Sequence, residues 1–289
     1  MFKIQKSLSK CLCAGLGEVL FDIYGSCKKL GGAPANFAFH CMKNDLDSIV
    51  ISSVGNDELG SLAKDILKSF NLNSCLVDNE KPTGFVNINL DDRAVPSYTF
   101  KLDTAYDNIP LTEDLKNLAP KLDVVCFGTL AQRHKVSLNT ITSFLDLTKS
   151  DCIKIFDVNL RSNFYTKEII ENSLKRCNIF KCNDEELIVL SKLFSLKDTS
   201  AQTFYSFLNT FGIKCFVLTN GSLDSTVFLN DEISTIKTPK VEVVDTTGAG
   251  DAFIATFISS LLKKDSMQIA HQKAVEYAAF VCTYKGAMI

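Results

Sequence analysis

The feature that most constrains the fold of this 289-residue chain is a regular alternation of short apolar runs with longer amphipathic stretches. The run 124–127, Val-Val-Cys-Phe, is apolar throughout, which is typical of a strand buried on both faces of a parallel sheet. The alternation therefore predicts an α/β domain with helices on both sides of a mainly parallel sheet. Strands are predicted at 10–14, 48–54, 123–127, 153–158, 179–181 and 214–219. Helices are predicted at 33–43, 58–70, 135–148, 168–175, 184–193 and 202–211, and two more between 250 and 284.

Two segments break the alternation. In the first, residues 19–24 have a strand pattern with no helix before the next strand. In the second, strand patterns at 84–90 and 96–101 flank a polar turn at 91–93, and this arrangement predicts a hairpin. A small antiparallel element inserted into an α/β domain often covers the active site, although an edge hairpin of the main sheet is an alternative. Because no linker is evident, we expect one domain over 1–289, with lid strands near 17–30 and 82–103.

Composition and charge exclude several classes of protein. Lys and Arg number 31 and Asp and Glu number 33, so the net charge of −2 does not favour binding to nucleic acid or to an anionic membrane. The longest uncharged apolar run, 252–262, is well short of the ~20 residues of a membrane-spanning helix. The 11 cysteines show no disulfide or metal-binding spacing, so we expect a reducing, cytoplasmic environment.

The strongest functional signal is Asp-Thr-Thr-Gly-Ala-Gly-Asp at 245–251, which follows a strand-like run at 241–244 and opens an apolar helix. Glycines at a helix N-terminus expose backbone N–H groups to an anion, above all a phosphate. A carboxylate aimed at a phosphate would repel it, so Asp251 is predicted to be a general base toward an incoming hydroxyl. The spacing is neither that of a dinucleotide fingerprint nor that of a Walker A loop.

Two further motifs lie near the N-terminus. Gly-Gly-Ala-Pro-Ala-Asn at 31–36 predicts a helix start with Asn36 in the first turns, able to hydrogen-bond a polyol. Asp22 is placed just past the first strand, where strand ends of α/β folds meet ligands. An ordinary turn and a surface carboxylate are the alternatives for these two motifs.

These motifs resemble those of the ribokinase-like (PfkB-type) carbohydrate kinases, and the chain is most similar to the fructokinases among them. The signatures at 31–36 and 245–251 both match, and so do the fructokinase-like stretches at 17–22, 127–133, 157–161, 183–187 and 285–288. The resemblance runs in family order from 15 to 288. It implies a three-layer α/β/α fold with a small β lid, and an ATP-dependent sugar kinase acting on a neutral sugar, with D-fructose converted to fructose 6-phosphate.

The resemblance also implies roles for single residues. Asp251 would be the catalytic base, and the N–H groups of Gly248, Ala249 and Gly250 would form the anion hole. The other implied contacts fall into three groups. The sugar would be bound by Asp22, Gly32, Asn36 and Arg161. Mg-ATP would be contacted by Asn183, Glu186 (on the magnesium side), Thr219 and Gly221. A monovalent cation, K⁺, would lie at Asp245 and Thr247. A homodimer formed through the lids is implied as well.

One departure concerns nucleotide binding, because Asp224 stands where the family has the second glycine of its Thr-x-Gly-x-x-Gly turn. A kinase for another sugar or a nucleoside is one alternative function, since Arg161 can also pair with a phosphate or a carboxylate. A non-catalytic sugar-binding regulator of the same fold is the other, and the intact 245–251 motif argues against it.

Overall fold

A central sheet of nine strands organises the chain, in the order β13-β12-β11-β10-β9-β8-β1-β4-β5, and a separate sheet of four strands has the order β3-β2-β6-β7. The computed structural model describes residues 11–90 and 96–289. The central strands are β1 (Leu12–Leu16), β4 (Asp47–Gly55), β5 (Asn73–Asn79), β8 (Val124–Phe127), β9 (Ile153–Asp157), β10 (Ile179–Asn183), β11 (Cys215–Asn220), β12 (Asp224–Leu229) and β13 (Glu232–Lys237). The small sheet consists of β2 (Leu20–Tyr24), β3 (Cys27–Gly31), β6 (Gly84–Leu90) and β7 (Pro96–Phe100).

Helices cover both faces of the central sheet. They are α1 (Ala33–Lys43), α2 (Glu58–Ser69), α3 (Glu113–Leu118), α4 (Lys135–Leu147), α5 (Lys167–Leu174), α6 (Asp184–Leu193), α7 (Ala201–Asn209), α8 (Ala249–Leu262) and α9 (Met267–Val281). Side chains of β8 alternate between two apolar clusters: Val124 and Cys126 pack with α8 and α9, whereas Val125 and Phe127 pack with α4 and α5. This alternation produces the three-layer α/β/α arrangement that the sequence predicts.

The central sheet is parallel from β11 to β5, and β12 and β13 extend it in antiparallel pairing. The predicted strands and helices are present with bounds close to those expected, and α1 and α6 match to the residue. The predicted start of the first strand at residue 10 lies outside the described residues. In the described ranges, no helix has both the length and the apolar character that crossing a bilayer requires.

Two expectations from the sequence are wrong. The run 241–244 is not a strand: Val243 and Val244 are each 59% exposed, and the Val244 N–H donates to the carbonyl of Cys282 in an irregular crossing. Asp22, expected just past the first strand, lies within β2 of the small sheet, opposite Lys29 of β3. The sequence analysis also missed β5, β12 and β13, whose mixed polar composition gives no buried-strand signal, whereas β3 overlaps the expected lid-strand range 17–30.

The small sheet contains the predicted hairpin, because β6 and β7 pair antiparallel, from Val86 opposite Phe100 to Leu90 opposite Pro96. Its predicted turn at 91–93 lies outside the described residues. The same sheet joins two distant parts of the chain, because β2 pairs in parallel with β6. Residues 20–31, 84–90 and 96–100 therefore form one surface beside the end of the central sheet.

Candidate functional site

A cavity of about 1030 Å³ lies where the carboxyl ends of the central strands meet the small sheet and the N-terminus of α8. Ligands of open α/β sheets bind at this edge, because the loops after parallel strands gather there. The cavity brings together most of the residues that the sequence selects. Those lining it are Asp22, Gly32, Asn36, Arg161, Asn183, Glu186, Thr219, Gly221, Thr247, Gly248, Ala249, Gly250 and Asp251.

Asp251 and Asn36 meet in the middle of this cavity. Nδ2 of Asn36 donates a 2.8 Å hydrogen bond to Oδ2 of Asp251, and the two residues are only 3% and 9% exposed. Burial, together with the charge of Asp157, raises the pKa of Asp251 to about 7, although Lys181 and Asn36 act in the other direction. A carboxyl group with this pKa is suited to taking up a proton near neutral pH.

An ion pair lies beside Asp251. Nζ of Lys181, in β10, is 2.7 Å from Oδ2 of Asp157 at the end of β9, and both side chains are buried. Burial alone would lower the pKa of Lys181, but the charge of Asp157 raises it, so the lysine stays cationic. A Cβ atom on Gly250 would lie 3.0 Å from Nζ of Lys181, so the ammonium group packs against the first turn of α8.

The turn before α8 requires glycine at residue 248. Gly248 is the N-cap of α8 with φ +80°, a left-handed conformation that side chains disfavour. A Cβ atom there would also lie 2.5 Å from Cβ and 2.9 Å from Cα of Ala287. The first turn of α8 thus lines the cavity in a turn held against the C-terminal segment, and the N–H of Ala249 donates to the carbonyl of Thr246 at 3.3 Å. The N–H groups of such a helix start are the donors that an anion would bind.

Asp245 organises the loop that leads into this turn. Its Oδ1 accepts hydrogen bonds from the backbone and the hydroxyl of Thr247, and its Oδ2 accepts from the backbone of Gly286 and from Nζ of Lys29 at 3.3 Å. Partial burial would raise the pKa of Asp245, but these hydrogen bonds lower it. Each carboxylate oxygen already has donors, one of them the cationic Lys29, so a K⁺ ion at Asp245 and Thr247 would share the carboxylate with these donors.

Asn183 and Glu186 form a capping box at the start of α6. Oδ1 of Asn183 accepts from the N–H of Glu186, and Oε2 of Glu186 accepts from the N–H of Asn183, both at 2.8 Å. Oε1 of Glu186 also accepts from the N–H of Leu160 at 2.7 Å. Burial raises the pKa of Glu186. Because both oxygens have donors, the arrangement suits Mg²⁺ held through water and phosphate oxygens. In the described residues, no three acidic, His or Cys side chains cluster as metal ligands.

The small-sheet end of the cavity carries the residues assigned to the sugar. Burial raises the pKa of Asp22, against the opposing effects of Arg161 and Lys29. Gly32 has φ +114°, and a Cβ atom on it would lie 2.2 Å from the carbonyl oxygen of Glu18. Gly32 thus allows α1 to start directly against the chain after β1. Arg161 lies exposed at the rim, in the loop after β9.

The opposite end of the cavity lies beside β11 and α9. Thr219 lies in β11, and Gly221, with φ +50°, turns the chain toward β12. Asp224, the residue that departs from the family pattern, is the first residue of β12, pairs with Asn220 and lines the cavity. The departure therefore adds a carboxylate to the wall at this end and leaves the β11–β12 pairing intact.

Glu18, Asp157 and Lys181 line the site but escaped selection by sequence reasoning. Lys181 is the middle residue of β10, Asp157 is the last residue of β9, and Glu18 comes two residues after β1, so each charge lies in or just beyond a buried strand. A polar residue at this position in a buried strand is the signal that would have identified them, because an unpaired charge there is costly.

Known proteins that resemble this chain in sequence and fold are carbohydrate kinases. Residues 27–289 match the pfkB family of carbohydrate kinases. An ATP-dependent 6-phosphofructokinase of Thermoanaerobacterium thermosaccharolyticum is 28% identical over 95% of this chain and 88% of its own length. Fructokinase-2 of Zea mays is 26% identical over 96% of this chain and 90% of its own. The structure of sugar kinase PH1459 from Pyrococcus horikoshii in complex with ATP superposes with a TM-score of 0.79 at 26% identity, over 96% and 94% of the two chains.

The three-layer fold, the small sheet and the 245–251 helix start thus define a sugar kinase of the ribokinase-like class. The chain belongs to the pfkB family of carbohydrate kinases.

Proposed function

We propose that this chain phosphorylates a neutral sugar with ATP, with D-fructose as the substrate and fructose 6-phosphate as the product. The observation that carries the proposal is the buried contact of Asn36 with Asp251 beside the first turn of α8. It places a carboxyl of pKa about 7 next to a helix start that favours phosphate. The fructokinase-like motifs and the maize relative support fructose as the sugar.

In this mechanism, Asp251 accepts the proton of the attacking sugar hydroxyl as that oxygen bonds to the γ-phosphorus, and the bond from the γ-phosphorus to the bridging oxygen of ATP breaks so that ADP leaves. Nδ2 of Asn36 holds Oδ2 of the Asp251 carboxylate, so the other oxygen of Asp251 is available to the sugar hydroxyl. The N–H groups at Gly248, Ala249 and Gly250 stabilise the negative charge of the transferred group. ATP would supply the phosphoryl group, and Asn183 and Glu186 would lie on the side of the Mg²⁺ bound with it, which would neutralise phosphate charge.

The charges at the sugar end favour a neutral substrate over a sugar phosphate. Glu18, Asp22 and Asp251 line the cavity, and the cations that act on them there are Arg161 and Lys181, of which Lys181 is already paired with Asp157. A second phosphate there would face carboxylates, an arrangement that costs binding energy in a buried site. We therefore place the substrate closer to fructose than to fructose 6-phosphate, although a phosphofructokinase is among the relatives.

The small sheet is proposed to be a lid that excludes water from the γ-phosphoryl group. Lys29 on β3 contacts Asp245 in the anion-hole loop, so closure of this sheet and order in that loop are linked through one ion pair. Pairing of two chains through their lids and activation by K⁺ stay predictions. Sedimentation at micromolar concentration tests the first, and turnover in KCl against choline chloride tests the second.

The proposal is tested by ATP turnover with a panel of fructose, glucose, ribose, adenosine and fructose 6-phosphate. We expect the highest kcat/KM with fructose. Turnover restricted to another sugar or nucleoside would keep the kinase and refute fructose. Sugar binding without any phosphorylation would instead favour the non-catalytic regulator.

A further inference from the structure

Glu18 is a buried carboxyl group that the proposed mechanism does not use. It lies two residues after β1, is 3% exposed and lines the cavity. Its Oε2 has no hydrogen-bond partner among the described residues. Leaving a buried acceptor unpaired destabilises the fold, and more so for a charged group, so such an atom calls for an explanation.

A second atom of the same kind lies on Asn36. Nδ2 of Asn36 donates to Asp251, while Oδ1 is buried and finds no donor within the described part of the chain. Both unpaired atoms are acceptors, and both residues line the cavity. With Glu18 ionised, both missing partners are donors, and a sugar presents hydroxyl groups of this kind on neighbouring carbons.

The surroundings of Glu18 limit how it can be satisfied from within the chain. Burial raises the pKa of Glu18 to about 7, the charge of Asp251 adds to this shift, and Arg161 and the backbone N–H of Ala33 oppose it. Tyr106 and Arg133 are close enough for their charges to interact with Glu18, and the Tyr106 hydroxyl and Arg133 Nη1 are also unpaired among the described residues. Neither residue lines the cavity. A buried water bridging them to Glu18 is therefore the competing explanation.

We propose that Glu18 is a specificity-determining residue, whose Oε2 accepts a hydroxyl of the bound sugar while Oδ1 of Asn36 accepts the neighbouring one. The inference rests on the proposed function, because a sugar supplies both donors. The two acceptors recognise hydroxyls beside the one that Asp251 deprotonates. They reject analogues that lack either hydroxyl, because a buried acceptor would then stay unpaired.

The test compares Glu18→Gln with the wild-type chain in calorimetric titrations with D-fructose and in steady-state kinetics. The amide removes the charged acceptor at nearly constant size, so we expect fructose affinity to fall about 10- to 100-fold and the ATP KM to stay within about twofold. Glu58→Gln makes the same change on the exposed first turn of α2 and should alter neither value. If Glu18→Gln does not fold, Glu18→Asp retracts the carboxylate by one methylene and should weaken fructose binding in the same way.

Monodeoxy fructose analogues identify the contact. For the analogue that lacks the hydroxyl bound by Glu18, wild type and Glu18→Gln should bind equally, whereas the other analogues should keep the difference. Tyr106→Phe should leave fructose affinity unchanged. An equal loss for every analogue, or the same loss in Tyr106→Phe, would show that Glu18 acts through a buried water network and overturn the proposal.

The two proposals fail in different ways. Wild-type turnover with fructose and unchanged affinity in Glu18→Gln would refute the role of Glu18 alone. If the wild-type chain phosphorylates another neutral sugar, the deoxy analogues of that sugar take the place of those of fructose. A wild-type chain that binds no sugar of the panel would refute the proposed function and, with it, this inference.

Discussion

Asn36 and Asp251 are joined by a buried 2.8 Å hydrogen bond between residues far apart in the sequence. The bond links the first turns of α1 to the first turn of α8, the two helices that the signatures at 31–36 and 245–251 open. One amide thus orients the carboxylate proposed to be the base and keeps an acceptor free for the sugar. The two family signatures form a single site because of this contact.

Asp251→Asn should lower kcat by about 10²–10⁴ while sugar binding changes little. The amide keeps the size and a carbonyl that can accept the bond from Asn36, but it cannot take up the proton. Turnover with saturating ATP and sugar measures kcat, and calorimetry measures sugar affinity. A kcat close to that of the wild type would remove Asp251 from the role of base.

The pH dependence of kcat/KM should follow the ionisation of Asp251. Because the base acts when it is ionised, kcat/KM should rise with pH through an apparent pKa near 7. Lys181→Met removes a nearby cation and should shift the rise of kcat/KM to higher pH. Asp157→Asn removes a nearby anion and should shift this rise to lower pH. Shifts of both variants in the same direction would contradict the electrostatic assignment.

Much of this site was accessible from the sequence, because its motifs combine local conformation with chemistry. Gly32, Gly248 and Asn36 lie where the motifs placed them, since glycine-rich helix starts are determined by neighbouring residues. The pairing of Lys181 with Asp157 was not accessible. It depends on β9 and β10 being neighbours in register, which is a property of sheet order. The unpaired Oε2 of Glu18 was not accessible either, because it depends on which side chains the fold places around Glu18.

The errors in the fold have a similar origin. The run 241–244 has the composition of a strand, yet both edges of the central sheet are formed by other strands, so it crosses the surface in irregular form. Strands β12 and β13 alternate polar and apolar residues at the edge of the sheet and lack the continuous apolar pattern of the central strands. Local propensity therefore identified buried parallel strands well and edge segments poorly.

Gly248→Ala should destabilise the chain more than Gly212→Ala does. Both glycines have φ near +80°, so each substitution carries a backbone strain of about 1 kcal/mol. The two glycines differ in the space available for a side chain, because a Cβ atom on Gly212 meets nothing within 4 Å, whereas one on Gly248 lies 2.5 Å from Cβ of Ala287. Urea unfolding should give an additional loss of about 1–3 kcal/mol at Gly248. Equal losses would show that the 245–248 turn shifts freely away from the C-terminal segment.

His271 should make stability depend on pH between about 4 and 6.5. Its two ring nitrogens lie 2.8 Å from the hydroxyls of Ser225 and Ser234, and burial lowers its pKa to about 4. As pH falls through this range, the unfolded chain takes up a proton that the folded chain does not, so this contribution to stability is lost.

Glu18 and Asp251 oppose this effect, because their raised pKa values favour the protonated folded state over part of the same range. The contribution of His271 is therefore measured as a difference, from urea unfolding of the wild type and of His271→Gln at several pH values. The free energy of unfolding of the variant should rise less with pH between 4 and 6.5. Parallel curves would show that His271 is protonated equally in both states.

Asp22→Asn should raise the sugar KM about 10-fold or more and leave the ATP KM within about twofold. Asp22 lies in β2 at the small-sheet end of the cavity, away from Thr219 and Gly221, and its carboxylate can accept two hydroxyl protons where an amide accepts and donates. Its charge also interacts with Arg161 and Lys29, so the variant weakens the contact between the small sheet and the loop after β9. Asp65→Asn, the same change on the exposed face of α2, is the control. Steady-state kinetics with the concentrations of sugar and ATP both varied measure the two KM values. A raised ATP KM with an unchanged sugar KM would mean that the small sheet covers the nucleotide and that the sugar lies elsewhere in the cavity.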